Sequence, residues 1–320
     1  MTVSTPLKPF AIAAAAALLL SGAAHAAAPQ VKTQAPGFHR LMVGDFEVTA
    51  LSDGTVALPV DKILTNTTPA KVAAAFKKAG LALPAETSVN GYLVNTGAKL
   101  VLVDTGAAGL FGPTLGNLLA NLKAAGYEPE QVDEIYITHM HPDHVGGLMA
   151  GDKLVFPNAV VRADQKDVDF WLSKKNFAAA PESAKGFFQG AMASLNPYVD
   201  AGKFKPFDGD TELVPGIRSH AAHGHTAGHN TYIVESQGQK LVMWGDLMHV
   251  AAVQFADPKV TIQFDTDPKA AAAARQAAYA EAAKSGYLVA GAHLSFPGIG
   301  RVRAEGQGYA WMPLNYSGMK

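Results

Sequence analysis

The densest chemistry in the chain is Thr138-His139-Met140-His141-Pro142-Asp143-His144, which sets four potential metal ligands within six residues. It follows a short apolar run, residues 135–137, so a strand would carry it to a sheet edge. Such crowding is costly without a cation, because Asp143 alone would hold protons on its neighbours, whereas a metal needs neutral rings and uses their lone pairs. His139 and His141 alternate about Met140, so extended backbone puts both on one side. Asp143 and His144, beyond the turn at Pro142, can face a second ion. Three further candidates also come just after strand-like runs: His225 in His223-Gly224-His225-Thr226-Ala227-Gly228-His229, Asp246 after Leu241-Val242-Met243-Trp244-Gly245, and His293 after residues 287–292. Together they complete two ligand sets. Zinc accepts imidazole and carboxylate without thiolate, and two ions about 3.5–4 Å apart bring a shared water near neutral acidity. Of the remaining histidines, His220 and His223 are expected to be solvated or supporting, and His229 to orient a ligand through its ring N–H.

The elements that must position these residues alternate strand and helix. Strand-like runs fall at residues 46–51, 91–94 and 100–103. Helices are expected at 113–125, with Leu115, Leu118, Leu119 and Leu122 in helical spacing before Gly126, and from the cap Asp267-Pro268 to Gly286. Tyr92-Leu93-Val94 through Gly97-Ala98-Lys99-Leu100-Val101-Leu102 is echoed by Tyr232-Ile233-Val234 through Gly238-Gln239-Lys240-Leu241-Val242-Met243. Each copy reads as a hairpin leading to an acid, Asp104 or Asp246, which implies two similar halves and an α/β layered sandwich.

Composition excludes several classes. With 320 residues, 48% hydrophobic and 17% charged, the chain can bury one sizeable core. Lys plus Arg number 26 against 27 Asp plus Glu, so no field exists to hold nucleic acid or an anionic membrane face. Cysteine is absent, which rules out disulfides and thiolate chemistry. The start, with Lys8, an apolar run over residues 10–20 and Ala24-His25-Ala26, reads as a signal peptide over residues 1–26. The run is too short to span a bilayer, which takes about 20 residues of helix. The mature protein is therefore expected in the periplasm or secreted, with a lead segment at 27–45, a hydrolase domain at 46–320 and no membrane attachment.

These motifs, in this order and with Asp104-Thr105-Gly106 as an early landmark, resemble the metallo-β-lactamase superfamily. Gly91-Tyr92-Leu93-Val94-Asn95-Thr96-Gly97, Ala107-Ala108-Gly109-Leu110-Phe111-Gly112-Pro113 and Phe296-Pro297-Gly298-Ile299-Gly300 are similar to the methyl parathion hydrolases and their lactonase relatives. The resemblance implies an αββα sandwich, usually a homodimer, with two divalent ions, most simply zinc, at one sheet edge. It assigns His139, His141 and His225 to one ion, Asp143, His144 and His293 to the other, and Asp246 to both. It also implies an aromatic pocket supplied here by Phe111, Trp171 and Phe187. The chain departs from the parathion hydrolases at His249, Ile262 and Phe264, expected pocket residues. His249 follows Asp246 by three, where related lactonases place a tyrosine, and is expected to act with Asp246 in catalysis. The expected activity is hydrolysis of aryl lactones and esters of the dihydrocoumarin type, with side activity on aryl phosphotriesters. Organophosphate hydrolysis as the main activity is the alternative, and a non-catalytic exported zinc-binding protein is the alternative of another class.

Overall fold

The computed structural model describes residues 1–3 and 28–318; residues 4–26 of the expected signal segment and its cleavage point fall outside the described residues. The chain divides into a unit Met1–Ala35 and a unit Pro36–Lys320, and the second carries the fold. No described helix is long and apolar enough to cross a membrane.

Two sheets form the centre. The first, six-stranded, runs in the order Phe38–Val43, Phe46–Leu58, Ala85–Asn95, Leu100–Val103, Glu134–Tyr136, Val160–Arg162. The second, seven-stranded, runs Glu212–Val214, Ile217–Ala221, Asn230–Ser236, Gln239–Met243, Leu288–Ala290, Ile299–Glu305, Gly308–Pro313. Period-two alternation decides what each face covers. Leu51, Leu93 and Leu102 point outward, under Leu118 and Leu122 of the helix Leu118–Ala124 and Leu195 of the helix Glu182–Asp200. Tyr92, Val94, Val101 and Val103 point inward against Tyr232, Val234, Leu241 and Met243 of the second sheet. Ile233, Val242 and Val289 then face Tyr279 and Ala282 of the helix Pro268–Ser285. The order of layers is helix, sheet, sheet, helix, the expected αββα sandwich.

The sequence echo corresponds to a structural repeat. Tyr92 pairs with Val103 and Tyr232 with Met243, each in an antiparallel hairpin whose second strand pairs in parallel with the next, Glu134–Tyr136 or Leu288–Ala290. Asp104 and Asp246 thus come off equivalent strands, as do the 138–144 run and His293.

Two boundaries differ from expectation. Residues 38–43, read as lead, pair along their whole length with Phe46–Leu51, so the first sheet begins before residue 46. The expected helix 113–125 forms only over Leu118–Ala124. Gly112 and Gly116 take φ of +92° and +93°, which break helical continuation, and Leu115 packs instead beside Val89 and Ala107. The start is capped from outside: Asp53 Oδ1 accepts the Leu118 N–H at 3.0 Å, and Oδ2 accepts that of Ala107 at 2.9 Å. The helix after Asp267 forms as expected, with the Asp267 carboxylate accepting the Ala270 N–H at 3.0 Å and left-handed Gly286 at its end.

Candidate active site

Each ligand loop springs from a strand end, because a strand can hold a buried backbone while its continuation turns its side chains toward a shared edge. The strand Glu134–Tyr136 delivers His139, His141, Asp143 and His144, the last two on the short helix Pro142–Val145. The other three ligands come from the second sheet. His139, His141, His225 and Asp246 form one group of four, Asp143, His144, His293 and Asp246 a second, with the ligand atoms of each within 4.8 Å of one another. Asp246 belongs to both. Its Oδ1 lies 3.2 Å from His144 Nε2, and its Oδ2 lies 3.3 Å from His225 Nε2 and 3.1 Å from His293 Nε2.

The donors fit divalent ions. Among the described residues, His139 Nε2, His144 Nε2 and Asp246 Oδ1 are buried and have no hydrogen-bond partner, a state that is expensive unless a cation takes their lone pairs. Burial pulls the His139 and His141 pKa values well down, toward the neutral rings that can ligate. At His144 and His293 burial acts the same way, but the neighbouring carboxylates, Asp246 foremost, outweigh it and raise both. His225 is pushed up to about 9 against its burial by Asp246 and Asp265. Those protons occupy places that ions would take, so loading releases them.

A second ring of contacts fixes each ligand. His144 Nδ1 is 2.8 Å from Asp104 Oδ2, which also accepts the Thr138 hydroxyl at 2.7 Å. His225 Nδ1 is 2.8 Å from Asp265 Oδ1, and His293 Nδ1 donates to the Ser88 carbonyl at 2.9 Å. Behind Asp265 stands buried Arg275, with Nη2 4.0 Å from Oδ2 and Nη1 donating to the Val260 carbonyl at 2.6 Å. Asp167 accepts the N–H of Met140 at 3.0 Å, the Thr226 hydroxyl at 2.9 Å and the N–H of Gly228 at 2.6 Å; burial pushes its pKa up to about 6. Asp167, Asp265 and Arg275 escape the sequence reading: an acid in a helix's first turn, as Asp167 is, looks like any capping residue, and nothing local marks the loop acid Asp265 or the mid-helix Arg275.

His229 has a different role from the one expected. Its Nδ1 donates to the Ala222 carbonyl at 3.1 Å, and its Nε2 accepts the backbone N–H of Asp246 at 3.0 Å. It therefore holds the shared ligand through a lone pair and the main chain. Burial lowers its pKa to about 3, which keeps that lone pair available. Gly245 makes the approach possible: at φ +53° a Cβ would lie 2.8 Å from both His229 Nε2 and the Thr138 Cβ. His220 lies exposed beside Asp210, and His223 Nε2 sits 3.5 Å from Asp164.

Above the two ligand groups is a cavity of about 70 Å³, walled by Val56, Leu58, Val89, Phe111, Leu115, Phe187 and Phe264 and floored by Asp143, Asp246 and His293. It adjoins a groove of about 520 Å³ that shares His141, Phe187 and Phe264 and is lined by Trp171. His249 lines the cavity, stacked on His293 at 5.2 Å, with Nε2 3.0 Å from Asp246 Oδ2 but poorly directed for a hydrogen bond. Burial lowers its pKa, so the ring is neutral. Trp171 stands edge-on to His141 at 5.2 Å and belongs to the groove, not the cavity. Ile262 touches neither: its side chain is packed with Val60, Leu64 and Val72 because its strand pairs with Leu64–Thr65, and its N–H donates to Asp265 Oδ2 at 3.0 Å. The expectation that Ile262 meets substrate is corrected by that pairing.

Comparison with known proteins agrees with this geometry. The chain is 31% identical over 165 residues to an N-acyl homoserine lactonase from a Bacillus species, covering 46% of this chain and 58% of that protein. The chain thus spans little more than half the length of the curated relatives it matches. Among solved structures, hydrolase AbOPH of the beta lactamase superfamily superposes with a TM-score of 0.85 at 36% identity, covering 89% of this chain and all of that one. AidC, a dizinc quorum-quenching lactonase in complex with its N-hexanoyl-L-homoserine product, superposes at 0.81 with 29% identity over 88% of this chain and 99% of its own. Residues 85–293, which span both ligand groups, match the profile of the metallo-beta-lactamase superfamily. The chain belongs to that superfamily.

Proposed function

We propose that this chain is a metal-dependent hydrolase that opens aryl lactones and cleaves aryl esters, with zinc as its metal and phosphotriester hydrolysis as a minor activity. The observation that carries the reading is the narrow apolar cavity over Asp246 with one polar side chain outside the ligand groups, His249, in its wall. At about 70 Å³ against about 520 Å³ for the adjoining groove, it is the narrower end of the site, and a planar carbonyl enters it more easily than a branched centre. The rest of a substrate lies in the larger groove. A phosphotriester brings three ester arms to one tetrahedral centre and fits that narrow end poorly.

Held by His139, His141, His225, Asp143, His144, His293 and the shared Asp246, two divalent ions would supply Lewis acidity toward a carbonyl oxygen and a water acidic enough to react near neutral pH. Phe111, Phe187 and Phe264 hold the aryl ring and exclude bulk water. The neutral His249 ring donates its N–H to the oxygen that gains charge as the carbonyl becomes tetrahedral. A phenolate leaving group needs little protonation, so no dedicated acid is required. The lactonase activity of the Bacillus relative and of AidC supports ring-opening. Membership of a hydrolase family argues against the storage alternative. Purified zinc-loaded enzyme should be compared on dihydrocoumarin, phenyl acetate, N-hexanoyl homoserine lactone and methyl parathion. Dihydrocoumarin or phenyl acetate is expected to exceed methyl parathion in kcat/KM by about tenfold or more, at least ~1.4 kcal/mol in barrier. Methyl parathion as the best substrate overturns the proposal.

A further inference from the structure

Asp167 lies outside both ligand groups, yet its contacts with them are selective. One carboxylate oxygen takes the N–H of Met140, the residue between His139 and His141, and the hydroxyl of Thr226, next to His225. The other takes the N–H of Gly228, in the same loop as His225. The two loops come from opposite halves of the sandwich, and between them they carry the three histidines of the first ligand group. Asp143 and His144 lie further along the same run, on the short helix Pro142–Val145, and Asp167 accepts no hydrogen bond from that helix or from the loop of His293 among the described residues. The side chain is wholly buried at the start of the helix Gln165–Trp171, and a Cβ on Gly228 would lie 2.5 Å from the Asp167 backbone nitrogen, so the His225 loop has little room to shift.

We infer that Asp167 is a positioning residue that sets the spacing of His139, His141 and His225, and with it the affinity of one of the two metal positions but not the other. The inference rests on the two-ion reading of the centre. Three donors converge on one carboxylate across the seam between halves, so removing its charge and one acceptor face unlocks both loops together. Supporting groups of this kind alter metal affinity by about 10–100-fold. Asp164, three residues earlier, supplies a built-in comparison. It is equally buried and accepts from Lys166, Gly209 and Asn230, with His223 Nε2 3.5 Å away, so it touches the His225 loop but, unlike Asp167, not the backbone between His139 and His141.

The test is metal titration of the full chain with zinc, read by a chromophoric chelator and by elemental analysis, on wild type, Asp167→Asn, Thr226→Val and Asp164→Asn. Wild type is expected to hold two ions; fewer would refute the two-ion reading itself, whatever the variants do. Given two, Asp167→Asn should weaken one step by about 10–100-fold and leave the other within a few-fold, with kcat recovered at saturating zinc. Thr226→Val removes one of the three contacts while keeping the shape, so it guards against a misfolded Asp167→Asn and should weaken the same step by a smaller factor. Asp164→Asn should lower the melting temperature without separating the two steps. Equal weakening of both steps in Asp167→Asn, unchanged affinities in Thr226→Val, or the same one-step loss in Asp164→Asn would overturn the assignment.

Discussion

Replacing His249 with Leu changes the only polar wall of the cavity outside the ligand groups while nearly keeping its volume. The side chain is buried and, among the described residues, neither ring nitrogen has a hydrogen-bond partner; its close polar approach in the resting protein is to Asp246. What the ring can do is donate to an oxygen that becomes charged as a planar carbonyl turns tetrahedral. Loss of one such donor costs about 2.7–4 kcal/mol, or 10²–10³ in kcat. Because the interaction strengthens in the transition state, KM should move little. A phosphotriester starts tetrahedral and crowds the same ring, so its kcat/KM should hold or rise. The assay is steady-state kinetics on dihydrocoumarin and methyl paraoxon, with zinc content measured on the same preparations because Nε2 lies only 3.0 Å from Asp246. Equal losses on both substrates with two ions retained would refute the reasoning, and so would no change on either.

Asp246→Ala removes a ligand common to both groups and should abolish turnover and metal retention. Chelating the wild type should lower its stability by about 4 kcal/mol for each ion held at a thousand times its Kd, seen by calorimetry. Zinc affinity should fall as pH drops below about 9, since Asp246 and Asp265 outweigh burial to hold a proton on His225 that the ion must displace; competition titrations across pH check this. His229→Phe orphans the Asp246 N–H and the Ala222 carbonyl, at a cost of about 1–3 kcal/mol each. In the metal-free wild type, the folded pKa of His229, lowered to about 3, lies below its ordinary value of 6.5. Its contribution is therefore full above pH 6.5 and lost as pH falls toward 3, and the metal-free variant should show a shallower loss in urea titrations over that window. Export predicts a mature start near Ala27, read by N-terminal sequencing of protein from the producing cell; an intact Met1 in soluble cytoplasmic material contradicts it.

The candidate ligands were readable in the chain because the chemistry compresses them: six residues hold four of the seven, Asp246 and His293 each follow an apolar run, and His225 sits in a run dense in histidine and glycine. The strand-like run at residues 91–94 was equally plain, as were the caps of the helix Pro268–Ser285, but which of Tyr92, Leu93 and Val94 faces which layer was not, since all three are apolar. What sequence hides is who stands behind the ligands. Asp167 reaches Met140 and Gly228 only because a helix start is brought against two loops, 27 and 61 residues away in the chain, and no local pattern encodes that meeting. Ile262 misled for a related reason, since an apolar residue near Phe264 suits a pocket or a core equally, and its pairing with Leu64 decides. The late start of the helix at Leu118 reflects two left-handed glycines outweighing leucine periodicity.

The repeat of hairpin and parallel strand sets an order of assembly. A chain made from its N-terminus presents four donors by His144, but each ligand group also needs residues of the second half, and the Asp143 group is complete only with His293. Tyr232 of the second sheet must pack on Tyr136 of the first before the donors of the two halves can meet. Neither ligand group is therefore complete until the halves are docked. Expressed as two separate fragments cut between residues 200 and 212, the protein should be unable to retain either ion until its pieces recombine, which would make zinc binding a direct gauge of their reunion.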